Sequence, residues 1–525
     1  MTTHAAPPPP DATSNVTRLL CAGTYLDPVY RKAVIRELLT HSYRMVAPSY
    51  GYDAAPVLAH ALAAHNLRRN QLAALGAGTA VVLLLLFTGV LSGLGAALLF
   101  FWVAWATMFL RRLAILQTLA EHLAPAADGR PGFDGAYPMT SRFTPELVGK
   151  INRQQGSDTV YYGGYKPFVG AGSSIRRWAN AELLLGAPVS RDGVLTGPGG
   201  LLNGRFPAQH GPSDGGGDHA PAERKPIIPF TVEDITGRVC EQMLAELRDK
   251  PAPSDRVQLL SVDRRRFTKA VRTAEGRDPV AVLLDAPDPE EGDEHWREDY
   301  DARREYLCIR IGAWQQELVT SVFIGFDIKG STLHTEFYTY VLGPVPESFH
   351  LADRLPATID GRLMMRIAWD VTRSAPGELL RLVFNPLRER LPSRFGTDTV
   401  RTLVRQAHDT SEFRLGRYAL TEVDCGALTS VRELAPGNDF HHFFQESDAI
   451  KYIQIIERHL LQIVGDFLRD HDVDTREHDA HQTNILQQNF GANSTNNFGG
   501  NQSVGNNGTQ TFGNNSGITR EARPA

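Results

Sequence analysis

The chain has 525 residues and a net charge of −5, enough length for about three units counting any membrane segment separately. That charge supplies no global basic field that would point to nucleic acid, and no nucleic-acid partner is expected. Cys21, Cys240, Cys308 and Cys425 lie far apart with no CxxC pair, which argues against a zinc knuckle and a disulfide framework and suits a reducing compartment.

Residues 1–16 are rich in Pro and Ala, with Pro7 to Pro10 in a row, and are expected to be disordered. A helical region over 17–70 follows. Asp27-Pro28 offers a cap and a proline at the first helical position. Val29, Val34, Ile35, Leu38 and Leu39 fall at helical spacing. Pro48-Ser49-Tyr50-Gly51 breaks the pattern, and a second helix is expected from about Ala54 to Asn66.

Gln71 to Leu110 contains no Asp, Glu, Lys, Arg, His or Pro. One helix over that stretch would be about 60 Å long, roughly twice the hydrocarbon core. The stretch therefore reads as two spans within 71–112, about 72–88 and 94–112, reversing near Gly89, Ser92, Gly93 and Gly95. Arg68 and Arg69 precede the first span, Arg111 and Arg112 follow the second, and the turn is uncharged. The positive-inside rule places both flanks, and both termini, in the cytoplasm, making a multi-pass protein of the inner cell membrane. Trp102 and Trp105 suit an aromatic belt on the cytoplasmic side. A cleaved signal peptide is not expected, because about 70 residues precede the apolar run. The competing reading, a buried hairpin in a soluble core, requires long helices with no polar face.

Residues 113–480 read as one cytoplasmic α+β domain of antiparallel sheet and helices. Leu113 to Leu123 continues the second span as a stalk. Asp158 to Tyr162 is β-rich, Gly163-Gly164 turns, Lys166 to Gly170 runs on, and Ala179 to Leu185 forms a further strand. Gly, Pro, Asp and His fill about 186–224, a disordered insertion inside the domain. Two or three strands before it are marginal alone, so they should pair with strands beyond Val257. Thr231 and Asp234 resemble a capping box, and Ile235, Val239, Met243 and Leu247 mark a buried face. Strands are expected at Val257–Val262, Val280–Leu284, Tyr306–Ile311, Leu318–Ile328 and Thr332–Leu342, the last two joined as a hairpin through Lys329-Gly330-Ser331. Asp285 to Asp299 reads as a solvated acidic loop.

Residues 360–394 carry seven Arg against two Asp and two Glu, with Met364, Ile367, Val371, Leu379, Val383, Phe384 and Leu387 at helical spacing. This pattern fits a packing helix pair or a surface lying on anionic lipid. Thr399 to Ala407 forms a short helix. Ser447 is expected to cap a long one whose stripe runs through Ile450, Ile453, Ile456, Leu460, Ile463, Val464 and Phe467, either core or a short coiled coil. The remainder, 481–525, is expected to be disordered. Thr483 to Thr519 has no charged residue, and Asn-Phe-Gly occurs at 489–491 and 497–499 with Thr-Phe-Gly at 511–513. Such segments can self-associate by stacking Asn ladders and aligned Phe490, Phe498 and Phe512.

The search for chemistry assigns no catalytic, cofactor-binding or metal-binding residue. Gly164 to Ser174 looks like a phosphate loop, but Lys166 sits at the wrong end, and Ile175 stands where a dinucleotide fingerprint needs its third glycine. Tight turns of a β-hairpin account for the glycines. His471, Asp472, Asp474, His478, Asp479 and His481 form the densest ligand-type cluster and read as solvated residues near a helix end. His441-His442 beside Phe443-Phe444 carries no clear assignment.

Three stretches, Cys21–Pro28 through Ala47–Asp53, Tyr161–Gly170, and Gly426–Glu433 followed by Asp439–Asp474, resemble a group of uncharacterised actinobacterial two-span membrane proteins. The resemblance covers most of 17–480 and implies a membrane-anchored cytoplasmic module without implying an activity. The tail loosely resembles the Asn/Gly/Gln motifs of bacterial amyloid-signalling proteins. The expected function is a membrane-tethered interaction or signalling protein. The alternative is an enzyme at the inner membrane face whose site is assembled from distant residues.

Overall fold

The structure, a computed structural model, describes residues 11–126, 132–189, 224–274, 296–297, 303–356, 360–384, 421–435, 437 and 440–490. Helix α1 spans Asn15–Leu26, and the Ser14 side chain accepts the Thr17 amide at its start. Residues 11–16 are therefore part of the fold, against the expectation of disorder through residue 16. Val16, Leu19 and Leu20 are fully buried, an apolar spacing masked by the proline-rich run before it. Helix α2, Pro28–Ile35, is capped by Asp27 as the sequence indicates.

Helix α3 runs unbroken over Ala54–Phe87 and so merges the separately expected helix and first span. Its 34 residues are about 51 Å long. The first half is buried in a core with α1, α2 and Phe349, while the second half enters the apolar stretch. After a break at 88–92, helix α4 covers Gly93–Glu121 with Ser92 as its cap. Gly78 lets the two helices close, since a Cβ there would meet Val103 Cγ1 at 2.4 Å. Both are long and apolar enough to cross a membrane. Of their most apolar 18-residue windows, 11 % and 17 % is buried, so most of this apolar surface faces outward.

Helix α5, Pro145–Gln155, leads into the sheet. Strands β1 (Thr159–Tyr162), β2 (Ser173–Leu183), β3 (Leu260–Lys269), β6 (Arg304–Ala313), β7 (Leu318–Lys329) and β8 (Thr332–Leu342) stand in the order β1-β3-β6-β7-β8-β2. A smaller sheet has β4 (Val271–Ala274) between β5 (Trp296–Arg297) and β9 (Thr421–Asp424). The large sheet is mixed, not antiparallel as expected, because β1 runs parallel to β3. Both early strands pair with later ones, β1 with β3 and β2 with β8. The strand expected at Val257–Val262 is displaced toward Lys269, and Lys166 to Gly170 forms no strand. The β7–β8 hairpin closes through Gly330 and Ser331, both at φ +57°, the left-handed pair that matches strand twist.

Side chains alternate across the sheet. Leu307, Ile309, Ile311, Val322 and Ile324 face α6 (Val232–Leu244) and α8 (Phe443–Asp470). Cys308, Phe267 and Phe323 face the other way, onto Tyr50 and Phe168. Thr231 and Asp234 form the full capping box of α6. Helix α8 begins four residues before Ser447: His442 occupies the cap with Gln445, and the Ser447 hydroxyl bonds the Phe444 carbonyl within the helix. Its stripe is core, not a coiled coil.

Helix α7, Gly361–Phe384, packs Ile367, Val371 and Ala375 on Met108 of α4. Helix α9, Arg476–Phe490, carries order ten residues into the segment expected to be disordered from 481. Burial of His478 and Ile485 holds it. The ends of the 186–224 insertion are paired, Pro188 with Arg224 and Gly186 with Val473. The sequence readings on residues 1–10, 190–223, Val280–Leu284, most of Asp285–Asp299, 385–394, Thr399–Ala407 and 491–525 lie outside the described residues.

Candidate functional site

A cleft of about 810 Å³ opens at the foot of α4. Helix α1 presents Asn15 and Arg18 to it, one turn apart. A 3-10 helix, Glu347–Arg354, presents His350 and Asp353, and the β6–β7 turn presents Trp314 and Glu317. The start of α8 adds His441 and His442.

These groups form a chain of charge-assisted bonds. His350 Nε2 lies 3.1 Å from Glu317 Oε2, and its Nδ1 lies 3.2 Å from Asp353 Oδ2. Asp353 Oδ1 pairs with Arg18 at 2.6 Å, and Arg18 also donates to the Leu123 carbonyl at 3.0 Å. Asn15 donates to Glu317 and accepts from Arg18. Hydrogen bonds to Asp353 and Glu317 lift the His350 pKa to about 9, so its imidazolium persists at neutral pH. Burial works against the Asp353 carboxylate, but His350 and Arg18 hold its pKa below the usual range. His441 meets His350 edge-on at 5.8 Å. Burial, with the His350 charge beside it, lowers its pKa and keeps it neutral.

The turn bearing Trp314 is strained. Trp314, Gln315 and Gln316 have φ of +52°, +55° and +69°, a conformation costly for residues with a Cβ. Buried Arg432 holds it by donating to the carbonyls of Gln316, Glu317, Tyr50 and Gly343. Burial lowers the Arg432 pKa to about 10, which still leaves it charged at neutral pH. The Trp314 indole stacks on His442 at 5.7 Å and donates to Asp448 at 3.1 Å. Phe443 and Phe444 lie exposed beside it. The sequence flagged His441 to Phe444 without a role; Glu317 gave no local signal, since 33 residues separate it from His350, while His350 and Asp353 stand three residues apart, a spacing too common on helices to mark a site.

The glycine-rich stretch after Tyr162 is not a β-hairpin, and internal carboxylates occupy its amides. Glu433 accepts from Gly170, Gly172 and Ser430, and Asp424 from Gly164 and Gly426. Gly170 and Gly172 have φ of +87° and +90°, and a Cβ on Gly172 would meet the Val341 carbonyl at 2.4 Å. Close approach and left-handed backbone explain these glycines, and the carboxylates stand where a phosphate would have to bind.

The cluster near His478 is also corrected. His478 is buried, with Nδ1 3.0 Å from Glu182 Oε1 and Nε2 2.9 Å from the Leu461 carbonyl. Burial opposes its charge, but Glu182 raises its pKa overall. It is a structural bond between α9 and β2, not a solvated residue. Among the described residues no group of three or more His, Cys, Asp or Glu is placed to hold a metal ion.

A family model described as an AbeC-like domain matches residues 178–508, more than half of the chain. The match begins on β2 and leaves out the N-terminal helices and the apolar hairpin. No curated protein and no solved structure matches the chain.

Proposed function

We propose that this chain, which belongs to the AbeC-like domain family, is a membrane-anchored interaction or signalling protein of the inner membrane's cytoplasmic face. The observation that carries this reading is the outward-facing apolar surface of α3 and α4, with Val81, Leu84, Phe87, Leu94 and Leu98 all exposed. Water disfavours a continuous surface of this kind and lipid accepts it. Arg68, Arg69, Arg111 and Arg112 would keep the folded domain cytoplasmic. The cleft at the foot of α4 would be the docking site, with Trp314, Phe443 and Phe444 as aromatic contacts and the His350 network as its charged floor. The tail, residues 491–525, is proposed as a self-association element.

Affinity capture from solubilised membranes tests the reading. The intact chain should retain a partner that W314A/F443A/F444A loses, and truncation after Phe490 should lose only its own copies. Recovery of identical material with all three chains would remove it.

An enzyme at the inner membrane face is the second reading, favoured by the convergence of Arg18, Glu317, His350 and Asp353 beside a neutral His441. Both nitrogens of His350 are already engaged, so a proton-accepting imidazole in the cleft would be His441 or His442.

A further inference from the structure

Helix α7 lies beside the last part of α4, where the apolar hairpin ends in Arg111 and Arg112. The contacts follow the same order along both helices. Trp105 Nε1 donates to the Thr372 hydroxyl at 2.9 Å, and Arg112 donates to Ser374 at 2.9 Å and Glu378 at 2.8 Å. Trp105 stacks on Phe109, and Leu116 joins the same contact as Ile367, Val371 and Ala375. One face of α7 is thus used up by α4.

The rest of its circumference is divided sharply. At about 100° per residue, Met365 and Trp369 share a strip opposite the packed face. They are 76 % and 68 % exposed. Arg362, Arg366 and Arg373 fall within about 40° of one another along the edge of that strip. All three are exposed. On α4, Trp102 is also exposed, one turn before the Trp105 that bonds α7. An apolar strip edged by arginines, continuous with a hairpin's aromatic end, has the composition of a helix lying in a lipid headgroup layer.

We propose that α7 is a second membrane contact, with Met365 and Trp369 inserted at the acyl-chain boundary and Arg362, Arg366 and Arg373 on anionic lipid phosphates. The proposal rests on the hairpin being membrane-embedded. The arginine edge selects the partner: a zwitterionic surface would leave three guanidiniums without countercharge, and an anionic leaflet attracts each of them. Held in this way, α7 would fix how the α4 foot, and the cleft beside it, sit over the membrane.

The test uses the full chain in lipid nanodiscs, with Cys240 changed to Ser and a small apolar fluorophore at Met365→Cys. A second sample carries the fluorophore at Leu84→Cys in the first span. Brominated lipid chains report contact with lipid. Both probes should be quenched in discs containing phosphatidylglycerol. In phosphatidylcholine discs, and in R362Q/R366Q/R373Q in either lipid, the residue-365 probe should lose most of its quenching while the residue-84 probe keeps it. Quenching at 84 but none at 365 in anionic discs overturns the α7 proposal and leaves the hairpin. Quenching at 365 that ignores both lipid charge and the arginines overturns the role of anionic lipid. No quenching at 84 overturns the membrane reading itself.

Discussion

The carboxylate of Glu433 takes the amide of Gly172 at 3.1 Å across 261 residues of chain. It also accepts from Gly170 and Ser430, so one side chain closes the glycine loop onto the segment after β9. Glu433→Ala leaves three amides without that acceptor and is expected to cost about 1–3 kcal/mol, the penalty of an unsatisfied buried donor. Glu433→Gln should cost less. Denaturant midpoints of the two variants in detergent check the order; equal midpoints to the parent would show that the loop holds without the carboxylate.

A pH dependence follows from His350. Its pKa in the fold is about 9, raised from 6.5 by hydrogen bonds to Asp353 and Glu317. A raised pKa means the contribution is complete below about 6.5 and is lost as pH climbs through about 9. The melting temperature should therefore fall between those values, and H350Q should flatten that part of the curve. Asp353, held low, contributes in the opposite sense: its share is lost as pH drops below the usual carboxylate range.

Arg432 is expected to be intolerant of change. It makes four bonds to backbone carbonyls around three consecutive left-handed residues, and lysine cannot reproduce that planar fork. R432K should destabilise by about 1.5–3 kcal/mol for each carbonyl it leaves unpaired, and the Trp314–His442 stack should loosen with it. Thermal unfolding, read with Trp314 fluorescence against a W314F control, measures both effects.

How much of this was legible in the sequence depends on how far apart the partners lie. The hairpin, the Asp27 and Thr231 caps and the β7–β8 turn were readable because each signal fits within a few residues. Glu433 and Glu317 were not, since the glycine amides that Glu433 takes lie more than 260 positions away and the imidazole that Glu317 meets lies 33 away, so neither leaves a spacing to detect. The start of α1 was missed because the proline run outweighed Ser14 and the spacing of Val16, Leu19 and Leu20. His478 looks solvated in the sequence because its neighbours are polar, while Glu182 lies 296 residues earlier. The β1–β3 parallel pairing was missed because the chain returns to β1 only after α6.

Deletion of 190–222 should leave the fold intact. Pro188 and Arg224 form a β-bridge, and the Lys225 amide bonds the Ala187 carbonyl at 2.9 Å, so a short link can join the two ends. Limited proteolysis should release the same resistant core from the shortened chain, with an unchanged melting temperature. A core lost on deletion would show that the insertion is structural.

The central claim is that α3 and α4 form a two-span membrane hairpin with both flanks cytoplasmic. It is tested most directly by fusing a reporter that is active only outside the cytoplasm at Val90, in the 88–92 break, and separately after Ala525. Signal at Val90 and silence at Ala525, with both fusions expressed in the membrane fraction, is the result expected. Strong signal at Ala525, or silence at both positions, would contradict it.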